Sequence, residues 1–213
     1  MLFDLDGTLV DTAPDLVGAV AHLRAVRGLE PIAAEVLRPH ATRGAAGLLE
    51  AGFGAVEGID PDSLREEFLA RYASNLWRAS RVFDGIDRLL DRLDANGMAM
   101  GVVTNKVESL AAPVIRHAGW TGRFGALVGG DTVGRSKPDA APVVEACCRL
   151  AVDPAEVVFL GDDQRDVIAG RAAGTATVVA RWGYLPADAR PAEWGADALI
   201  DHPDEFCALL SDK

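Results

Sequence analysis

Acidic residues in this chain follow directly on short apolar runs, and that placement leaves few folds open. Met1-Leu2-Phe3 stops at Asp4-Leu5-Asp6-Gly7-Thr8, and Val157 to Leu160 stops at Gly161-Asp162-Asp163-Gln164-Arg165-Asp166. An ionised carboxylate is not tolerated in an apolar core without partners, so both runs must end at a surface or a crevice. Met98 to Val103, Ala126 to Val128, Ala176 to Ala180 and Ala198 to Ile200 are further runs of this kind. Short continuous apolar runs read as strands buried on both faces of a parallel sheet, and such sheets hold ligands at the carboxyl ends of their strands. Met1–Phe3 is shorter than the about five or six residues usual for a strand. The expectation is that a few residues of this strand precede Met1.

Helical periodicity lies between the strands. Ile86, Leu89, Leu90 and Leu93 follow the i, i+3, i+4, i+7 pattern with Gly97 as a stop, and Pro142–Leu150 and Asp166–Ala173, the latter ended by Gly174, read the same way. Pro113 interrupts the pattern from Val107 to Ala118, which predicts a kink or a late start. Residues 13–83 contain no clear strand. Thr12-Ala13-Pro14-Asp15 has the form of a capping box continued by Leu16, Val20 and Leu23, and helical stretches follow near Ala33–Pro39, Ala45–Ala51 and Asp62–Arg78. The fold class is therefore α/β, a doubly wound parallel sheet built from residues 1–12 and 83–213, with a helical insertion over 13–82 placed above the strand ends.

Composition narrows the function. The 213 residues carry 21 basic and 32 acidic side chains, a net charge of −11. Phosphate-backbone affinity needs clustered Lys and Arg, so a nucleic-acid partner is disfavoured, as is an anionic membrane surface. No apolar stretch approaches the roughly 18 residues of a membrane helix, and Asp4 and Asp6 arrive before a signal-peptide core can form. Three cysteines without metal-ligand spacing, two of them adjacent (Cys147 and Cys148), suit a reduced compartment; adjacent on a helix face, they read as packing. A soluble cytoplasmic protein is expected, of unspecified oligomeric state. The charge is also uneven: residues 1–15, 153–166 and 186–213 together carry −13 and the remainder +2. The last segment reads as an acidic tail; the first two are clusters at strand ends.

Four short motifs fall at successive strand ends: Asp4-Leu5-Asp6-Gly7-Thr8, Thr104-Asn105, Lys137-Pro138 opening a later helix, and Gly161-Asp162 to Asp166. In this order they resemble the haloacid dehalogenase superfamily of aspartyl-phosphate phosphatases, and the helical insertion is similar to that superfamily's C1 cap. Asp4 to Thr12 resembles the phosphoglycolate phosphatase-like branch. Within it the N-acetylmuramic acid 6-phosphate phosphatases are most similar, through Val102-Val103-Thr104-Asn105-Lys106, Gly161-Asp162-Asp163 to Arg165-Asp166, Trp182-Gly183-Tyr184, and Trp194-Gly195-Ala196-Asp197 to Asp201-His202-Pro203. The resemblance implies a small phosphorylated metabolite as substrate, a place in cell-wall sugar recycling, and Mg²⁺ as cofactor.

The residue types suit that chemistry. A carboxylate nucleophile and a phosphate dianion repel each other, so attack by Asp4 needs cations at the reaction centre. Mg²⁺ prefers oxygen ligands, which the Asp4 side chain, the Asp6 backbone carbonyl and Asp162 offer, with Asp166 orienting from behind. Lys137 supplies a second cation; with only three lysines against eighteen arginines, a lysine here is not compositional noise. Thr104 offers its hydroxyl and its backbone N–H to phosphate oxygens, and Asn105 an amide donor. Asp6, two residues from Asp4, is placed to act as general acid and then base. Gly7 and Thr8 turn the chain off the strand, a turn able to respond to closure of the insertion. Asp163 is either a supporting acid of the site or an acid at a helix N-terminus. Arg43-Gly44 is either a receptor for a substrate carboxylate or a solvated arginine at a helix start. None of the four histidines has metal-ligand spacing. Phosphoglycolate is the alternative substrate. A sugar phosphomutase and a phospho-acceptor signalling module are competing readings, the latter opposed by about 70 residues of insertion beyond one small domain.

Overall fold

The computed structural model describes residues 1–54 and 56–206; Cys207 and the end of the acidic tail lie outside the described residues. From the N-terminus, β1 (Leu2–Phe3) and β2 (Val10–Asp11) lead into four helices, α1 (Ala13–Val26), α2 (Ala34–Leu37), α3 (Gly44–Phe53) and α4 (Pro61–Ala73). β3 (Arg81–Val82) returns the chain, and helix and strand then alternate as far as β7. The order is α5 (Ile86–Ala95), β4 (Gly101–Val103), α6 (Glu108–His117), β5 (Ala126–Val128), α7 (Ala141–Leu150), β6 (Val158–Gly161), α8 (Gln164–Ala173), β7 (Ala176–Ala180) and β8 (Ala198–Ile200). β1, β4, β5, β6, β7 and β8 form one sheet in the order β5-β4-β1-β6-β7-β8, parallel at every pairing.

β1 lies in the middle because Leu2 and Phe3 are apolar on both faces and both fully buried; they pair with Gly101 and Val102 on one side and with Phe159 and Leu160 on the other. One face is covered by α5, whose Ile86, Leu89, Leu90 and Leu93 are all at zero exposure. Burying each stabilises the fold by on the order of 2 kcal/mol. Gly97 and Gly174, which follow α5 and α8, have φ of +65° and +88°, the left-handed turn that ends a helix. The helix around Pro113 runs through the proline, giving up one backbone hydrogen bond at Ser109. Cys147 is buried in α7 and Cys148 is exposed.

The four helices α1–α4 share a separate core, centred on Leu16, Val20, Leu37, Leu48, Phe68 and Tyr72. Three local expectations need correction here. Residues 13–83 do contain a strand: β3 pairs antiparallel with β2, Val10 opposite Val82 and Asp11 opposite Arg81. Two-residue strands are too short to show any periodicity. α4 ends at Ala73, five residues before the expected Arg78, because the buried Asp15 carboxylate accepts hydrogen bonds from the N–H groups of Arg78, Ala79 and Ser80 at 2.8–3.1 Å and holds them out of a helix. Asp15 therefore closes no capping box at Thr12. The first N–H groups of α1 are satisfied from another element: the Tyr184 hydroxyl accepts from Thr12 N (2.6 Å) and Ala13 N (2.9 Å). Among the described residues no helix is long and apolar enough to cross a membrane.

Candidate active site

The carboxyl ends of β1, β4 and β6 meet beneath α3 and α4. Asp4 continues β1, its N–H donating to Leu160 O at 2.9 Å, and its side chain is 13% exposed. Asp162 follows β6 and is held on both oxygens, Oδ1 by the Thr8 hydroxyl and Oδ2 by the N–H of Tyr184, each at 2.8 Å. Asp166 stands one turn into α8, where its Oδ2 accepts from Asp163 N at 3.0 Å. Backbone comes close to these acids at three glycines. A Cβ on Gly7 or Gly183 would lie 2.3 Å from Asp162 Oδ2, and one on Gly161 2.2 Å from Asp166 Oδ2. Any side chain there would displace a carboxylate.

Asp4, Asp162 and Asp166 each place a carboxylate oxygen within 4.8 Å of the others, and all three are buried. Burial, reinforced by the charges of Asp4 and Asp166, pushes the Asp162 carboxyl well above the usual carboxylate range. Burial likewise pushes Asp166 up to about 7 against the pull of Lys137. An oxygen-only cluster that resists ionisation fits a hard divalent cation such as Mg²⁺, which would supply the missing positive charge. Asp166 Oδ1 is buried and lacks an aligned hydrogen bond, although the Lys137 ammonium stands 2.7 Å from it.

Lys137 is the cation on the opposite side. Its Nζ lies 2.9 Å from Asp4 Oδ1 and donates to Val103 O at 2.8 Å, with the side chain 3% exposed. Burial would lower its pKa, but Asp166 and Asp4 outweigh this and hold it up at about 12. Lys137 does not open a helix; it lies in the loop ahead of α7. Asn105 keeps that loop in place. Its Oδ1 accepts from Lys137 N and its Nδ2 donates to Lys137 O, both at 2.9 Å. The Asn105 amide is thus engaged with the Lys137 backbone and is not aimed at a ligand, contrary to expectation. The Thr104 N–H is likewise engaged, donating to Val128 O at 2.9 Å because the β4–β5 ladder extends one residue past the strand. Only the Thr104 hydroxyl keeps its proton free of these contacts; its oxygen accepts from Lys106 N at 3.2 Å.

Asp6 stays out of the three-acid cluster. Its carboxylate is clamped by Lys106, whose Nζ donates to both oxygens at 2.8 Å, and by the Thr12 hydroxyl at 2.5 Å. Lys106 is nearly buried and lies 4.7 Å above the ring of Tyr72 on α4. Burial opposes its charge, yet Asp6 and Tyr72 raise its pKa overall. No local sequence pattern marks these roles of Lys106, Thr12 and Tyr184, although the scarcity of lysine that marks Lys137 applies equally to Lys106.

Asp163 is the N-cap of α8, bonded to Arg165 N at 2.8 Å. It also faces the insert, accepting from the Thr42 hydroxyl, while Arg165 donates to Thr42 O. Burial opposes its charge, but Arg165 and Thr42 hold its carboxyl below the usual range. Arg43 does lie between two helical segments, with Gly44 opening α3, but its guanidinium is paired with Glu50 at 2.8 Å on the exposed side.

Asp4, Asp6, Thr104, Lys106, Lys137 and Asp166 floor a cavity of about 270 Å³, roofed by Thr42–Ala46 and by Arg65, Phe68, Leu69 and Tyr72 of α4. Residues 1–180 match the family model described as haloacid dehalogenase-like hydrolase. The chain is 43% identical to the N-acetylmuramic acid 6-phosphate phosphatase of Pseudomonas aeruginosa, over 99% of this chain and 93% of that protein. It is 40% identical to a phosphoglycolate phosphatase of Xanthomonas campestris, over 97% and 93% respectively. Among solved structures, a predicted phosphoglycolate phosphatase from Haemophilus somnus superposes with a TM-score of 0.88 at 27% identity, covering 98% of this chain and 96% of that one.

Proposed function

The chain belongs to the haloacid dehalogenase-like hydrolases and is a phosphatase of that family, and from this premise we propose that it is a Mg²⁺-dependent phosphomonoesterase acting on N-acetylmuramic acid 6-phosphate. The reading places it in the cytoplasm, in cell-wall sugar recycling, with α1–α4 and the segment to residue 82 serving as its cap. One observation carries the chemistry: a buried lysine ammonium 2.9 Å from Asp4 stands beside three converging carboxylates. That is how a carboxylate can be made to approach a phosphate dianion.

Asp4 attacks phosphorus, and the bond to the leaving oxygen breaks as Asp6 delivers a proton to that oxygen. Asp6 then takes a proton from the water that attacks the aspartyl phosphate, which releases phosphate and restores Asp4. Lys137 pairs with Asp4 and with the transferring group, and the Thr104 hydroxyl donates to a phosphate oxygen. Lys106 and Thr12 hold the Asp6 carboxylate at the cavity wall. Mg²⁺, held by Asp4, Asp162 and the Asp6 carbonyl with Asp166 beside it, would offset the charge that gathers on the phosphoryl oxygens.

The substrate assignment draws on the 43% identity to the Pseudomonas enzyme and on a cavity with an apolar wall of Phe68, Leu69 and Leu110, suited to a sugar ring. Phosphoglycolate is the second reading, favoured by the Xanthomonas relative. Phosphate release from the two esters by the purified protein decides between them. A higher kcat/KM on N-acetylmuramic acid 6-phosphate is expected, and a preference for phosphoglycolate overturns the first choice. Phosphate released in step with substrate loss, with no isomer formed, excludes a phosphomutase.

A further inference from the structure

Every cation lining the cavity but one faces an acid among the described residues. Lys137 is matched by Asp4 and Asp166, Lys106 by Asp6, Arg165 by Asp163, and Arg43 by Glu50. Arg65 also lines the cavity, and it has no ion pair or hydrogen bond among the described residues. α4 turns Arg65, Phe68, Leu69 and Tyr72 toward the cavity at i, i+3, i+4 and i+7, and the positions one turn after Arg65 are apolar; Asp62, one turn before it, makes no ion pair with it among the described residues. Glu67, two residues on, is bound to Arg27 at 2.7 Å.

Tyr72 marks the catalytic end, its ring 4.7 Å from the ammonium that clamps Asp6. Arg65 lies seven residues toward the helix N-terminus, roughly 10 Å of helix rise away. The buried ring of Phe68 and the half-buried Leu69 fill the interval. A ligand that places its phosphate on the floor therefore meets an apolar wall and then an unmatched guanidinium.

We propose that Arg65 is a specificity-determining residue that receives a carboxylate held about one sugar ring away from the phosphate being hydrolysed. The proposal rests on the phosphomonoesterase reading and adds to it the second anionic group of the substrate and the residue that binds it. A guanidinium suits this task because its planar fork matches a carboxylate with two parallel hydrogen bonds. The two-carbon skeleton of phosphoglycolate is too short to span the interval. A hexosamine phosphate with a carboxylate-bearing ether across the ring is long enough.

The test compares kcat/KM on N-acetylmuramic acid 6-phosphate and on N-acetylglucosamine 6-phosphate, which has the same ring and phosphate without the lactyl carboxylate. The ratio of the two is the readout. Arg65→Ala is expected to lower that ratio by on the order of 10- to 100-fold, chiefly through KM on the carboxylate ester, and Arg65→Lys to restore part of it. A ratio unchanged in Arg65→Ala, whatever happens to overall activity, overturns the proposal. If the wild-type protein instead prefers phosphoglycolate, the substrate reading fails separately. Arg65 is then judged on phosphoglycolate against ethyl phosphate. A selective loss there keeps the carboxylate receptor and overturns the ring-length spacing, and an equal loss overturns both.

Discussion

The floor of the cavity, made from strand ends and the segments that follow them, holds Asp4, Thr104, Lys137 and Asp166 at 3–9% exposure, whereas its helical roof presents Arg43 and Arg65 to solvent. On the floor each charge is fixed by partners from several strands and loops: Lys137 alone touches Asp4, Asp166 and Val103. A buried charge without its partner is costly, so the floor tolerates little change, and that rigidity suits the bond-breaking steps. Solvated groups on the roof can be exchanged at small energetic cost. In the function proposed above, the roof is the part that can select which phosphate ester is held.

Breaking the floor should have the largest effects. Asp4→Asn removes the proposed nucleophile and is expected to lower phosphate release from an aryl phosphate by about 10⁴-fold or more. Near-wild-type turnover by this variant would remove Asp4 from its assigned role. Lys137→Ala strands Asp4 and Asp166 without their cation, at an expected cost of about 3–5 kcal/mol in denaturant unfolding of the metal-free protein, together with loss of activity. Lys106→Met unclamps Asp6 and is expected to reduce kcat by roughly 10- to 100-fold; an unchanged kcat would show that Thr12 alone suffices.

A subtler test uses the electrostatics of the acid cluster. Burial and neighbouring acids raise the carboxyl of Asp162, and burial raises that of Asp166 to about 7. In both, the folded state holds its proton more tightly than the unfolded chain does. Their contribution to the stability of the metal-free protein should therefore be fully present below the ordinary carboxylate range and be lost as pH rises through about 7. Mg²⁺ competes with those protons, so its increment in Tm should be several degrees larger at about pH 8 than at about pH 5.5. Equal increments at both would argue against a cation among these carboxylates. The smallest effect belongs to the roof: Arg43→Ala, which breaks only an exposed pair with Glu50, should change kcat/KM by at most about threefold. A larger loss would make Arg43 a substrate contact after all.

Legibility followed the range of the interactions. The β5, β7 and β8 strands stand where their apolar runs placed them, because burial on both faces writes itself into consecutive residues. The acids at the strand ends were visible for the same reason. Asn105 and Thr104 were read as phosphate donors on the strength of their functional groups, yet the structure engages the Asn105 amide with Lys137 and the Thr104 N–H with Val128. Which donor is already occupied depends on loops about 30 and 24 residues away, and no local pattern carries that. Asp15 shows the same limit, read as a local cap when its partners lie 63 to 65 residues on.

By itself, then, the sequence determined the parallel α/β frame, the helical insertion and the acids and lysine that meet at the strand ends, since burial periodicity and charge placement are properties of neighbouring residues. Tertiary structure decided how those charges pair. It clamped Asp6 with Lys106, gave Asp163 to Arg165 and Thr42, turned Arg43 to Glu50 and left Arg65 unmatched. Coulombic and hydrogen-bond energies fall off over a few ångströms, and only the folded chain sets distances on that scale.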